Sequence, residues 1–152
     1  MENLNKLSKE QLIEKLISTK SRLLESEKVN KDNLFKTLIT NTEEIVYVID
    51  KNGTFLLSEG KGLSKLGVVP GEVVGSSVYE VYKDLPEMLK SMKRVLHGET
   101  ITNEVNVGEI YFRNWYTPQL NDNGEVIGLL GLSVNITEQK IAENQFITEK
   151  AF

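Results

Sequence analysis

The sequence has no cysteine and only one histidine among its 152 residues. Without cysteine there can be no disulfide, no thiolate nucleophile, no cysteine-ligated zinc and no chromophore attached through a cysteinyl sulfur. The histidine, His97, lies at the end of a helix-forming segment just before Gly98, where the helix dipole favours a cation. With no nucleophile beside a base and no nucleotide-cradling glycine loop, the sequence predicts no catalytic residue and no metal site.

Long apolar runs and an excess of positive charge are also missing. The longest apolar stretch, residues 126–134, is too short to cross a bilayer, and no signal peptide is recognisable at the N-terminus. The 18 basic and 22 acidic side chains give a net charge of -4, so nucleic acid is not expected as a partner. We therefore expect a cytoplasmic protein without a membrane span.

Residues 1–33 are predicted to form an amphipathic N-terminal helix. Ser8 and Gln11 have the spacing of a capping box. The apolar residues that follow recur at helical spacing, and they are Leu12, Ile13, Leu16, Ile17, Leu23 and Leu24. Such a stripe needs a partner or the protein's own sheet to pack against. The polar residues 29–33 are predicted to be a hinge that leads into a second short helix.

Residues 34–137 are predicted to form one α+β domain. The predicted strands are residues 45–50, 55–58, 100–107, 110–120 and 125–136. The Asn52-Gly53 pair between the first two strands is typical of a tight hairpin. Short helical pieces separate the second and third strands, and residues 86–97 form the clearest of them. This order favours an antiparallel sheet with helices gathered on one face.

The order of these segments and the turn residues between them resemble those of the PAS domain, a sensory module found in sensor histidine kinases. The resemblance rests on residues 45–53, 67–76, 96–99, 116–128 and 135–140, and together the motifs cover residues 32–143. The final motif, Asn-Ile-Thr-Glu, is similar to the Asp-Ile-Thr-Glu segment that commonly ends PAS domains. The resemblance implies a five-stranded antiparallel sheet around an internal pocket, followed by a C-terminal signalling helix over residues 138–152.

The resemblance also implies a role and partners. PAS domains sit in sensor kinases, transcription regulators and other proteins of two-component and phosphorelay pathways, often as dimers. A homodimer, a kinase or other output domain, and a small-molecule ligand are thus the expected partners. The alternatives are a ligand-free dimerisation or adaptor module, and a fragment of a sensor histidine kinase without its catalytic part.

No cofactor is indicated by the residues that would have to bind it. In haem-binding relatives the ligating histidine lies near the helix start, where this chain has Glu87. Light-sensing flavin relatives use a cysteine, which is absent. The sequence therefore has no signature of haem binding or of a cysteinyl flavin, and it does not identify a cofactor.

If the strands match those of the family, alternation places a set of side chains inside the pocket. The predicted ligand-binding residues are Tyr47, Met92, Phe112, Asn114, Tyr116, Leu129 and Ser133. Asn114 and Ser133 are polar and aimed into an apolar cavity, so they are the residues expected to orient a ligand. The alternative is a filled core, in which these two side chains bond to each other, to water or to backbone.

The opposite face of the sheet is predicted to be an interface, because it stays apolar where a solvated face would alternate to polar. Its residues are Val46, Val48, Tyr111, Trp115, Leu130, Leu132 and Val134, which we call the outer-face patch. Two covers are open at this stage. Either the N-terminal stripe with Leu12, Leu16 and Leu23 folds back on the patch, or a second copy of the chain covers it.

The predicted route of signal transmission is the end of the last strand. Asn135 stands where the family usually has an aspartate, whose ion pair commonly couples the sheet to the helix that follows. Asparagine keeps the hydrogen bond without the charge. Thr137 is predicted to cap the helix that follows.

Overall fold

The computed structural model describes residues 8–150, and the chain divides into two compact units, with the boundary in the sequence between Leu38 and Ile39. Most of helix α1, Lys9–Asn41, belongs to the first unit. The predicted capping box is confirmed: the Ser8 backbone N–H donates to Gln11 Oε1 at 2.9 Å, and the Gln11 N–H donates to Ser8 Oγ at 3.3 Å.

Helix α1 runs without interruption through residues 29–33, so the predicted hinge there is wrong. The physical reason is that the sequence has no glycine or proline before Gly53. Polar residues such as Asn and Asp lower helix propensity only slightly, whereas glycine and proline are the residues that break a helix. Polarity alone is therefore a poor signal for a hinge.

The second unit is built on an antiparallel sheet of five strands in the order β2-β1-β5-β4-β3. The strands are β1 Ile45–Asp50, β2 Phe55–Glu59, β3 Ile101–Val107, β4 Ile110–Leu120 and β5 Val126–Asn135. The strand pairs β1–β2 and β4–β5 both close as hairpins, the first of them at the predicted Asn52-Gly53 turn. In the first, the Asp50 carboxylate accepts from the N–H groups of Asn52 and Thr54, and Gly53 takes a φ of 87° that favours glycine.

The helices of the second unit are a 3₁₀ helix Lys61–Leu66, α2 Val78–Val81, α3 Pro86–Leu96 and α4 Thr137–Lys150. Helix α3 begins at Pro86, a residue suited to the first helical position. It buries Met88, Met92 and Val95 against the inner face of the sheet, in one core with Tyr47, Phe112 and other inward strand residues. The predicted α+β fold, with a five-stranded antiparallel sheet and helices, is confirmed.

Candidate sensory site

A small cavity of about 40 Å³ lies between the inner face of the sheet and the helices. Its lining comes from β1, the 3₁₀ helix, the segment around α2 and α3, and strands β3 to β5. The lining residues are Ile45, Tyr47, Leu63, Leu66, Tyr82, Met88, Val105, Val107, Phe112, Asn114 and Ser133.

Four of the predicted ligand-binding residues line this cavity, namely Tyr47, Phe112, Asn114 and Ser133. The structure does not bring Met92, Tyr116 and Leu129 to it, although all three are fully buried. Leu129 pairs with Ile49 and Pro118, four positions along β5 from Ser133, where the core is packed.

The cavity also contains residues that the sequence prediction missed. Val105 and Val107 lie on β3, whose alternating burial puts them on the inner face. Period-two alternation, which predicts the inward-facing residues of β4 and β5, also predicts that these two valines face inward. Leu63, Leu66 and Tyr82 come from short helical pieces, and no sequence pattern fixes how such pieces turn toward a sheet.

The polar residues of the cavity are joined in a chain of side-chain hydrogen bonds. Ser133 Oγ donates to Asn114 Oδ1 at 2.6 Å, and Asn114 Nδ2 donates to Asn103 Oδ1 at 3.2 Å. Asn103 Nδ2 then donates to Ser91 Oγ at 3.1 Å. These hydrogen bonds therefore connect β5, β4 and β3 to helix α3. They pair Asn114 with Ser133 in the way expected of a filled core.

Two buried tyrosines flank Gly131 on the inner face. Tyr47 of β1 and Tyr116 of β4 are both cross-strand neighbours of Gly131, and a Cβ atom at Gly131 would lie only 2.1 Å from Tyr47 Cζ. Neither tyrosine hydroxyl has a hydrogen-bond partner in the part of the chain that the structure describes. Glycine at this position is thus required for Tyr47 to lie across β5.

Burial keeps these phenols protonated. It raises the pKa of Tyr47 well above its usual value and also raises the pKa of Tyr116. Burial likewise raises the pKa of Tyr82, in the cavity wall, to about 12. An ordinary tyrosine is already neutral at neutral pH, and these three phenols keep their protons to a still higher pH.

On the outer face, a small ionic cluster ties helix α4 to the sheet. Glu104 of β3 accepts from Arg113 of β4 at 2.8 Å and from Lys140 of α4 at 2.7 Å. The hydrogen bond from Lys140, helped by the one from Arg113, lowers the pKa of the Glu104 carboxyl. The sequence prediction missed this cluster, because 36 positions separate Glu104 and Lys140 in the chain.

The junction between β5 and α4 is held by two further hydrogen bonds. Asn135 Oδ1 accepts from the Thr137 backbone N–H at 3.0 Å, and Thr137 Oγ1 accepts from the Tyr111 N–H of β4 at 3.0 Å. The predicted cap therefore needs correction. The Thr137 hydroxyl is used by strand β4, and the first N–H of α4 is satisfied by Asn135.

The outer-face patch is partly exposed. Tyr111 is 41% exposed, and Trp115 and Leu130 are each 38% exposed, while the patch residues Val46, Val48, Leu132 and Val134 are half-buried. In helix α1, Leu16 and Leu23 are exposed and Leu12 is half-buried.

Within residues 8–150 no group of histidine and carboxylate side chains is placed to hold a metal ion, and no helix is long and apolar enough to span a bilayer. His97 is exposed at the end of α3, and its Nδ1 lies 2.7 Å from the Lys93 carbonyl oxygen.

The family model described as "PAS fold" matches residues 39–141. This chain belongs to the PAS family. The PAS domain of BvgS from Bordetella pertussis is 25% identical, with a TM-score of 0.55, and the match covers 82% of this chain and 98% of that one. A domain of an HTR-like protein from Haloarcula marismortui is 23% identical, with a TM-score of 0.51, over 63% of this chain and 100% of that one.

The sensor region of a sensor histidine kinase is also similar, at 18% identity and a TM-score of 0.56, over 67% of this chain and 43% of that one. No curated protein sequence matches this chain. PAS domains are typically sensory, non-catalytic modules that commonly dimerise and occur in kinases. The similarities support a sensory signalling domain.

Proposed function

We propose that this PAS domain senses a small molecule in its interior cavity and passes the change through α4, as a homodimer, to a kinase or other output domain in the cytoplasm. The observation that carries the proposal is that strands β3 and β4 connect to the cavity on one face and to α4 on the other. The inward-facing cross-strand pair Asn103 and Asn114 belongs to the series of side-chain hydrogen bonds at the cavity. The next cross-strand pair, Glu104 and Arg113, belongs to the ionic cluster.

The geometry of these pairs supports a mechanical route. Because successive residues of a strand point to opposite faces, a shift of Asn103 and Asn114 moves the backbone that carries Glu104 and Arg113. Glu104 holds Lys140 in the first turns of α4. A ligand that competes for the Ser133–Asn114 hydrogen bond would thus change how firmly α4 is held against the sheet.

Asn135 and Thr137 form the second part of the proposed route. Their hydrogen bonds fix the start of α4 relative to both β5 and β4. Replacing Thr137 should therefore change signalling without changing ligand binding.

The proposed dimer uses the apolar surfaces of the chain. The outer-face patch and the α1 stripe with Leu16 and Leu23 expose large apolar side chains, which mark an interface when they are contiguous. A second copy of the chain supplies a self-complementary cover through twofold symmetry.

The transmission proposal is tested with an enlarged side chain in the cavity wall. Val105→Phe fills part of the cavity from β3, and we expect hydrogen exchange in α4 to change relative to the parent protein. Leu120→Phe is the matched control, because it adds the same ring at a site that is 56% exposed. Unchanged exchange of α4 in a folded Val105→Phe protein would contradict the route.

A ligand-free dimerisation or adaptor module is the second candidate, and one observation favours it. Asn114 and Ser133 already satisfy each other, and the cavity measures only about 40 Å³. In that case Val105→Phe lowers stability but leaves α4 unchanged, and no small molecule binds the purified protein.

A further inference from the structure

Helix α1 exposes apolar side chains over most of its length. Every residue from Leu16 to Leu38 is exposed, and Leu16 itself is 70% exposed. A helix in a protein gains most of its stability from packing an apolar face, which α1 does not do within the described chain over this stretch. The helix therefore needs a partner along this stretch.

The charged residues of α1 follow a seven-residue repeat. When residues 12–37 are written as heptads, only two of the seven positions hold no charged residue. These two positions alternate at spacings of four and three residues, which is the spacing of the d and a positions of a coiled coil. Their residues, which we call the seam, are Leu12, Leu16, Thr19, Leu23, Ser26, Asn30, Asn33 and Thr37.

A second apolar row of α1, with Ile17 and Leu24, is interrupted by charge. The a and d positions of a seam built on this row would also hold Lys20, Glu27 and Lys31. A charged side chain at such a position loses hydration when the helices pair, which is unfavourable. The row with Ile17 and Leu24 is therefore the poorer interface.

The two threonines of the seam are suited to burial. Thr19 Oγ1 donates to the Lys15 carbonyl oxygen at 2.8 Å, and Thr37 Oγ1 donates to the Asn33 carbonyl oxygen at 2.8 Å. Because these hydroxyls are already bonded within the helix, burying them leaves no donor without a partner. Asn30 is at an a position, where a single asparagine is known to fix the register and number of helices in a coiled coil.

The polarity of the seam changes along the helix. Its leucines, Leu12, Leu16 and Leu23, lie in the N-terminal half, and from Ser26 to Thr37 the seam is entirely polar. A parallel pair in register places each leucine against the same leucine of a second copy. An antiparallel pair would place the leucines of one helix against the polar half of the other. The seam therefore favours the parallel arrangement.

The residues that flank the seam at the g and e positions meet across a parallel pair. The three pairs are Arg22 with Glu27, Val29 with Leu34, and Lys15 with Lys20 of the second copy. The first pair joins opposite charges, and the second covers two apolar side chains that are exposed in one chain. The third pair is a repulsion, which salt screens. Two of the three flanking pairs thus support the parallel arrangement.

We infer that α1 pairs with α1 of a second copy as a parallel, in-register, two-stranded coiled coil along the seam. The inference rests on the proposed function, since it specifies how the helices of the proposed homodimer are arranged. Five of the eight seam positions are polar. The seam therefore aligns the two chains, while the outer-face patch supplies most of the stability of the dimer.

Disulfide crosslinking tests the seam directly, because the chain has no cysteine of its own. Ser26→Cys lies in the seam, and Ser21→Cys is the matched control at the f position, on the opposite side of the helix. Each full-length variant is oxidised in air with a copper catalyst, and the crosslinked dimer is measured by non-reducing electrophoresis. We expect Ser26→Cys to crosslink roughly tenfold faster or more. Equal rates overturn the inference.

Thr19→Cys tests the direction of the helices. In the parallel pair position 19 faces its own copy, and we expect this variant to crosslink as fast as Ser26→Cys. In an antiparallel pair of the same seam position 19 lies opposite position 30, so the two sulfurs are about 16 Å apart along the axis, which is beyond the reach of a disulfide. Fast crosslinking of Ser26→Cys without that of Thr19→Cys overturns the parallel arrangement.

A failure of this inference differs from a failure of the proposed function. If the parent protein is a dimer but Ser26→Cys crosslinks no faster than Ser21→Cys, the proposed homodimer stands and the coiled coil is wrong. If both seam variants crosslink fast but α4 does not respond to Val105→Phe, the coiled coil stands and the transmission route is wrong.

Discussion

On the inner face of the sheet Leu129 is fully buried, whereas Leu130, the next residue of β5, is 38% exposed on the outer face. The two side chains are chemically identical and their backbones are bonded to the same neighbouring strands. Only strand alternation separates them. The comparison shows that the sheet buries one face in the packed core and leaves the other face partly open to solvent.

The strongest test of this difference between the two faces is to replace each leucine by alanine. Leu129→Ala should lower the free energy of unfolding by about 2 to 5 kcal/mol, because it leaves a cavity in a packed core. Leu130→Ala should cost the monomer less than about 1 kcal/mol. Urea denaturation at low protein concentration measures both. Equal losses would show that the two faces are not different.

Gly131→Ala tests how tightly the inner face is packed. The added methyl group meets the ring of Tyr47, and we expect a loss of about 1 to 3 kcal/mol in the free energy of unfolding. In a Tyr47→Leu background the same change should cost less, because the ring is gone. Thermal or urea denaturation of the four proteins completes this double-mutant cycle, and identical costs in both backgrounds would refute the packing argument.

The tyrosines packed in and against the core predict a loss of stability at high pH. In the unfolded chain Tyr82 loses its proton near pH 10.0, but the folded protein holds it until about 12. As pH rises through this interval, only the unfolded state gains from ionisation, so stability falls by up to about 1.4 kcal/mol per pH unit for this tyrosine. Denaturation midpoints across the interval, with Tyr82→Phe expected to show a shallower decline, check the sign and the source.

The smallest expected effect is on the outer face. Glu104→Gln removes the charge that holds Lys140, and hydrogen exchange in α4 should become modestly faster with little change in global stability. Glu99→Gln breaks a comparable exposed pair with Arg94, away from α4, and is the matched control. The same hydrogen-exchange rates of α4 in both variants would show that Glu104 does not restrain α4.

Much of the fold follows from local signals in the sequence. Period-two alternation and the Asn52-Gly53 turn predicted the sheet correctly, and the helical segment predicted over residues 86–97 corresponds to α3. These signals act between residues that are close in the chain, and therefore no tertiary information is needed to use them.

The candidate site was only partly predictable, because it depends on contacts between distant segments. Alternation found Tyr47, Phe112, Asn114 and Ser133, but it could not tell that Leu129 faces a filled part of the core. The pairing of Glu104 with Lys140 depends on where α4 leaves the sheet, which no local pattern encodes. The continuity of α1 has another cause, because the polar residues 29–33 do not break a helix as glycine or proline would.

The central claim is that the outer-face patch meets a second copy of the chain, and the mass of the folded protein in solution tests it most directly. Sedimentation equilibrium should give a dimer for the parent protein and for Leu120→Ser, a control at an exposed apolar site outside the patch. Trp115→Asp places a charge in the patch and should give a folded monomer. A parent protein that stays monomeric at every concentration, or a Trp115→Asp variant that dimerises as the parent does, would contradict the account.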